Sequence, residues 1–272
     1  MTNDYIQALT IAGNDSDGSA GMPADLHSFF CRNVYGMGLI TSAVSGNSYT
    51  IEAAHIIPID FIEQQFKTLA KDFHIRASKT GMLANDDVIN VVADNYQKVD
   101  FGPLVVDPVI ITKHGSMLLE QSAYETFREK LLPLATVLTP NFYEAQKLTE
   151  LALDTPEEIA KGARTLQKLG AKNVMLKGRH DDASQAEVTD YVLLENGDSF
   201  TLTESYIHTN RVNGTGDTLS AVIAAELAKG NDVATAIKIA KKFVHEAIAH
   251  PIEVGHQFGP INHWAAAKKL PD

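Results

Sequence analysis

Short apolar runs, each closed by a polar or glycine-rich turn, alternate along this chain with stretches whose apolar positions recur at helical spacing. Residues 5–12 form the first run, a buried strand that ends at Gly13 and opens into the turn-rich loop 13–21. Met22-Pro23-Ala24-Asp25-Leu26 then starts a helix with proline in its first turn. Residues 38–44 predict a second strand, followed by the polar loop Ser45-Gly46-Asn47-Ser48. Ile59, Ile62, Phe66, Leu69, Ala70 and Phe73 share one helical face and predict a helix over 59–73. The same reading places strands at 75–77, 103–106, 136–138 and 173–176, with helices at 86–96, 122–131, 143–148 and 155–168. After residue 176 the pattern changes. Runs at 190–194 and 199–202 flank Glu195-Asn196-Gly197-Asp198, whose Asn-Gly pair signals a hairpin. Helices at 218–228 and 233–249, and a short C-terminal one, complete the chain.

Strands alternating with helices predict an α/β fold: a doubly wound, mainly parallel sheet flanked by helices, with a small antiparallel hairpin. No repeat, low-complexity stretch or linker interrupts residues 1–272, so a single domain is expected. Such sheets bind ligands beyond the carboxyl ends of their strands. Asp15, Asn47, Lys79, Asp107, Asn141 and Lys177 all fall at those ends.

Charge narrows the function classes. The net charge is −11, from 23 basic and 34 acidic residues, which argues against a nucleic-acid binder. An anionic substrate would need a local positive site, which gives weight to a few well-placed lysines. Cys31 is the only cysteine, so no intrachain disulfide can form; it reads as a small core residue in a reducing compartment. The first residues lack a signal-peptide pattern, and no apolar run approaches the ~20 residues that span a bilayer. A cytoplasmic protein without a membrane partner is expected.

Chemistry concentrates in Asn213-Gly214-Thr215-Gly216-Asp217-Thr218-Leu219, which runs into an alanine-rich segment. Two glycines separated by one residue turn the backbone tightly, and the helix that follows offers unpaired N–H groups to an anion. A carboxylate at that mouth would repel a phosphate unless Asp217 accepts a proton from the attacking group. Alternatively, it is a helix cap. The loop 13–21 follows a strand too, but Gly13, Gly18 and Gly21 do not have dinucleotide-fold spacing. It reads as a substrate loop.

Several segments together carry a resemblance. They are Ile11-Ala12-Gly13-Asn14-Asp15 with Gly21-Met22-Pro23-Ala24-Asp25-Leu26, Val34-Tyr35-Gly36-Met37, and Lys79-Thr80-Gly81-Met82-Leu83. Val106-Asp107-Pro108-Val109, Leu138-Thr139-Pro140-Asn141 with Glu144-Ala145, Lys177-Gly178-Arg179-His180 and the glycine loop continue it. In this order the chain resembles, nearly end to end, the pyridoxal kinase and hydroxymethylpyrimidine kinase branch of the ribokinase superfamily. The resemblance implies a ribokinase-like homodimer that phosphorylates a hydroxymethyl group on a heteroaromatic ring with ATP and Mg²⁺. It leaves open a monovalent cation. By the same resemblance Asp217 is the base, and the Gly214 and Gly216 amides hold the moving phosphoryl. Lys177, Gly178, Asn141 and Thr215 bind ATP, while Glu144 and Asp107 serve the metal. Gly13, Asp15, Gly21, Asn47, Met82 and Val109 line the ring site, although Met82 and Val109 read equally well as core.

Pro58-Ile59-Asp60 and the tail Phe258-Gly259-Pro260-Ile261-Asn262-His263 look most like pyridoxal kinases. The activity expected is therefore phosphorylation of pyridoxal in vitamin B6 salvage. Hydroxymethylpyrimidine (phosphate) kinase of thiamine biosynthesis is the same-class alternative, and an inactive vitamin- or nucleotide-binding protein the alternative of another class. Two departures from the branch stand out. Many members carry Cys where this chain has Asp217. Pyrimidine kinases typically carry Gln at the position of Gly46, so its absence favours pyridoxal. Residues 178–187, polar and flexible in composition, read as a cover for the site or as a plain surface loop.

Overall fold

The computed structural model describes residues 4–110, 119, 121–180 and 184–270. Within them, nine strands form one sheet. The strands are β1 (Gln7–Asp15), β2 (Tyr35–Gly46), β3 (Ile51–Ile56), β4 (Ala77–Thr80), β5 (Leu104–Val106), β6 (Val137–Leu138), β7 (Asn173–Leu176), β8 (Glu187–Leu193) and β9 (Ser199–Ser205). Their order is β3-β2-β1-β4-β5-β6-β7-β8-β9. Strands from β2 through β7 pair in parallel, and antiparallel partners close both edges, β3 on β2 and β8 with β9 after β7.

The helices are α1 (Gly21–Cys31), α2 (Ile59–Ala70), α3 (Asp86–Tyr96), α4 (Gln121–Thr126), α5 (Phe142–Thr149), α6 (Pro156–Lys168), α7 (Thr215–Ala228), α8 (Val233–Ala249) and α9 (His263–Lys269). Strand alternation sorts the core into two layers. Leu9, Leu104, Val106, Leu138 and Val174 point to one face, packed with Phe66 and Phe101. Ala8, Val105, Val137 and Met175 point to the other, under α7 and α8. Successive residues facing opposite covered sides is the pattern of a parallel sheet buried on both faces. The alanines of α7 let its backbone lie close to the sheet, and Ala221 to Ala225 are completely buried.

Three elements differ from the sequence reading. Of the loop expected at Ser45–Ser48, Ser45 and Gly46 end β2 and Asn47 and Ser48 begin the turn of a second hairpin, because β3 follows antiparallel to β2. Every residue of β3 is exposed, so no apolar alternation announces the strand. The strand expected at 75–77 lies at Ala77–Thr80, fully buried despite three polar residues. Those residues have internal partners: Ser78 Oγ donates to the Phe101 carbonyl (3.0 Å), and Lys79 pairs with Asp25. The helix expected at 122–131 begins as α4, widens to a π turn over Phe127–Leu131 and tightens to a 3-10 turn over Leu132–Leu134. Burial of Phe127, Leu131 and Leu132 holds it in place across both changes.

Candidate active site

Parallel packing brings the carboxyl ends of β1, β4, β5, β6 and β7 to one edge, and α7 begins there. Gly214 caps α7 with φ +81°, a left-handed conformation that favours glycine. A Cβ at Gly214 would stand 2.3 Å from the Ser19 carbonyl oxygen, so the glycine loop and the loop after β1 touch backbone to backbone. Gly214→Ala combines left-handed strain with that clash. It is expected to lower Tm by at least about 2 °C, since left-handed alanine costs about 1–2 kcal/mol before any clash. An unchanged Tm would show that the loop has room to shift.

No side chain caps α7. Asp217 lies in its first turn with 20% of its side chain exposed, and its near charged neighbour is the buried Lys79, with Nζ 3.8 Å from Oδ1. Asp217 is thus not the helix cap that its sequence position allowed.

Across Gly216 stands a second charged group. A Cβ on Gly216 would lie 3.3 Å from Asp107 Oδ2 and 3.7 Å from Lys177 Nζ, so glycine keeps the loop against both. Lys177 Nζ is 3.4 Å from Asp107 Oδ1. Burial works against the Lys177 charge, but Asp107 and Glu144 outweigh it and hold its pKa above the ordinary value. Glu144 is buried behind them. Its Oε2 accepts from the Asn141 N–H (2.8 Å) and its Oε1 from the Ile110 N–H (2.9 Å). The Asn141 side chain accepts from the Glu144 N–H in return, which makes a capping box at the start of α5. Asn141 and Glu144 therefore build the loop around Asp107, beyond any ligand they serve. Burial pushes the Glu144 carboxyl up to about 7, against the pull of Lys177.

Several residues expected to line the ring site gather around Gly13. A Cβ there would meet Ser42 Oγ at 2.6 Å and Met82 Cε at 3.0 Å, and one on Gly21 would meet the Gly13 carbonyl at 2.6 Å. Gly13, Gly21 and Met82 thus come together, with Asp15 just beyond at the end of β1. Burial and the neighbouring Asp17 raise the Asp15 carboxyl to about 6, with Asp217 adding to the shift. Val109 is half-buried, with φ +48°, two residues past Asp107.

Asn47 is placed differently from the other residues expected at the ring site. It sits in the hairpin turn after β2, where its Oδ1 accepts from the Tyr49 N–H (2.9 Å). It lines a cavity of about 230 Å³ together with Asp17, Ser19, Ser48, Phe258 and Pro260. The far wall is a strap over residues 253–260 that the sequence reading left without a role. Arg211, itself buried, anchors it by donating to the Val254 (2.6 Å) and Gly255 (3.0 Å) carbonyls. Ser48 ties the strap to the hairpin, accepting from the His256 N–H at 3.0 Å through Oγ and from the Phe258 N–H at 3.0 Å through its carbonyl. An arginine two residues before the glycine loop was the available signal.

Asp190 was also missed, hidden in the alternation of β8. Its Oδ1 accepts from the Gly178 N–H (2.9 Å) and its Oδ2 pairs with Lys241 (2.8 Å), fixing the turn that follows Lys177. Thr215 opens α7 beside Gly216. The stretch 178–187 lies partly outside the described residues, at 181–183.

Residues 15–262 match the model of the family described as phosphomethylpyrimidine kinase. The chain belongs to that family. It is 45% identical to the hydroxymethylpyrimidine/phosphomethylpyrimidine kinase of Haemophilus influenzae, over 96% of this chain and 98% of the relative. Identity to the enzyme of the same name from Bacillus subtilis is 38%, over 95% of each chain. An ADP complex of Bacillus subtilis pyridoxal kinase superposes with TM-score 0.88 and 35% identity, covering 96% of this chain and 98% of that one. The fold is ribokinase-like, and the chain is a kinase of the pyridoxal kinase and hydroxymethylpyrimidine kinase branch. No helix among the described residues is long and apolar enough to cross a membrane.

Proposed function

We propose that this kinase transfers phosphate from ATP to the hydroxymethyl group of a hydroxymethylpyrimidine, as in thiamine biosynthesis. One observation carries the choice of acceptor. End-to-end identity to the Haemophilus influenzae pyrimidine kinase is 45%, against 35% to the Bacillus subtilis pyridoxal kinase. The pyridoxal expectation drew on Gly46, and its surroundings weaken that inference. The Gly46 N–H donates to Ser16 Oγ and its carbonyl accepts from the same hydroxyl, both at 3.0 Å. A Cβ there would press on the Thr50 carbonyl at 3.3 Å. Gly46 is thus the last residue of β2, paired with Ile51 and locked by Ser16, rather than a space left for a larger vitamer. Asp15, Asn47 and the hydroxyls of Ser19 and Ser48 can supply the acceptors and donors that an aminopyrimidine edge needs.

In this reading the acceptor hydroxyl gives its proton to Asp217 as its oxygen attacks phosphorus. The Gly214 and Gly216 amides and the positive end of α7 take the charge of the moving phosphoryl. Lys177 meets the triphosphate as a point charge, and Thr215, Gly178 and Asn141 shape the loops around it.

Three or more His, Cys, Asp or Glu suited to a metal do not cluster among the described residues. Magnesium keeps several waters and needs only one or two carboxylates beside the phosphates. Asp107, with an oxygen beside Gly216 and Glu144 behind it, fits that demand. When bound, the ion would neutralise charge on the phosphates. A homodimer through the exposed β3 edge, with Tyr49 and Ile51 at its surface, completes the reading.

The test is a side-by-side kinase assay. kcat/KM for hydroxymethylpyrimidine is expected to exceed that for pyridoxal at least about tenfold, the worth of one buried polar edge paired or left unpaired. A preference for pyridoxal would restore the B6 reading, and ATP turnover with neither acceptor would refute both.

A further inference from the structure

Lys79 has no exposed surface, and the chemistry above leaves it without a task. Its Nζ lies 2.9 and 3.1 Å from the two oxygens of Asp25, which is also completely buried, on α1. Thr10 on β1 donates to Asp25 Oδ2 at 2.6 Å. The ammonium is thus held from two directions, and it reaches 3.8 Å from Asp217 Oδ1. Gly81 makes the approach possible, because a Cβ there would crowd Lys79 Nζ at 3.2 Å and stand 3.9 Å from Asp217 Oδ1.

The surroundings of Asp217 are otherwise mostly acidic. Asp25 stands behind Lys79 on α1, Asp15 faces it from the end of β1, and Asp107 lies across Gly216 with Lys177 beside it. Of the two lysines, Lys177 is paired to Asp107, and Lys79 alone among the described residues is within ion-pair distance of Asp217. Were Lys79 absent, three neighbouring carboxylates would act on Asp217 with no cation at ion-pair distance, and a protonated base cannot accept a proton from a hydroxyl. We propose that Lys79, clamped by Asp25 and Thr10, is a positioning residue that keeps Asp217 ionised and draws Oδ1 inward, so that its other oxygen faces the acceptor. This deepens the kinase reading and rests on Asp217 being its base. The buried pair alone would also suit a purely structural link between α1 and β4, so the test must read Asp217 itself.

The double variant Asp25→Asn/Lys79→Met removes both buried charges at similar volume. Lys79→Gln keeps a donor for Asp25 and serves if the double variant does not fold. Carboxyl ¹³C NMR, with the Asp217 signal assigned through Asp217→Asn, follows its titration without nucleotide or acceptor. In Lys79→Gln the midpoint is expected to rise by about one to three pH units, the usual effect of losing an opposite charge at this range, and in the double variant by less, because the like charge of Asp25 leaves too. The acid limb of kcat/KM should rise with it. An unmoved midpoint in a cooperatively unfolding variant would overturn the proposal and leave the pair structural. A raised midpoint alongside no turnover of either acceptor by the wild type would sustain the Lys79 coupling and refute the proposed acceptor instead.

Discussion

Asp217→Asn is expected to lower kcat by about 10²–10⁴, the usual cost of losing a general base. Asparagine keeps the size and position of the side chain in the first turn of α7, so the glycine loop should survive. It removes only the ability to take a proton. The helix does not depend on this carboxylate, since no side-chain cap bond closes its start. ATP binding should be unchanged or tighter, because one negative charge leaves the phosphate mouth. The acceptor's KM should change little, as the hydroxyl can still donate to the amide oxygen. Single-turnover rates beside nucleotide titration separate these effects. Near-wild-type turnover would remove Asp217 from the chemistry and leave its approach to Lys79 as an electrostatic link only.

The layered fold was legible because the parallel strands are short apolar runs buried on both faces. Val105 and Val106, or Val137 and Leu138, fill opposite layers, and such pairs stand out in a sequence. What escaped was polar and buried, or apolar and exposed. β4 carries Ser78, Lys79 and Thr80 inside the sheet, and only tertiary partners such as Asp25 make that possible. β3 shows the opposite failure: Ile51 and Ile56 are exposed on an edge, so periodicity had no buried side to mark. The site divided in the same way. Gly214, Gly216 and Asp217 are contiguous, so the loop could be read directly. The strap held by Arg211 joins residues some forty positions apart, and no local pattern encodes that contact. Glu144 was assigned to the metal on resemblance, and its bonds to Asn141 and Ile110 add a structural duty that spacing alone showed only in part.

Lys177→Met should lower kcat/KM for ATP by about 10²–10³, the scale found when one donor to a developing oxyanion is removed. Acceptor binding measured without nucleotide should not change, because Lys177 faces Asp107 and Gly216 rather than the Gly13 and Met82 side. The substitution also has a cost in stability whose size depends on pH. In the wild type, burial raises the Glu144 carboxyl from 4.5 to about 7 while Lys177 restrains the rise. The folded state then holds a proton that the unfolded chain releases. Glu144's contribution is therefore complete below about 4.5 and is lost as pH climbs towards 7. Without Lys177 the carboxyl rises further, so the loss continues above pH 7. The variant should unfold below the wild type already at pH 6, where buried Asp107 lacks its partner, and fall progressively further behind by pH 8. Kinetics at pH 6 thus isolate the lysine's action on ATP from its support of Glu144. Normal ATP use there, beside the lost stability, would make Lys177 a partner of the buried carboxylates alone.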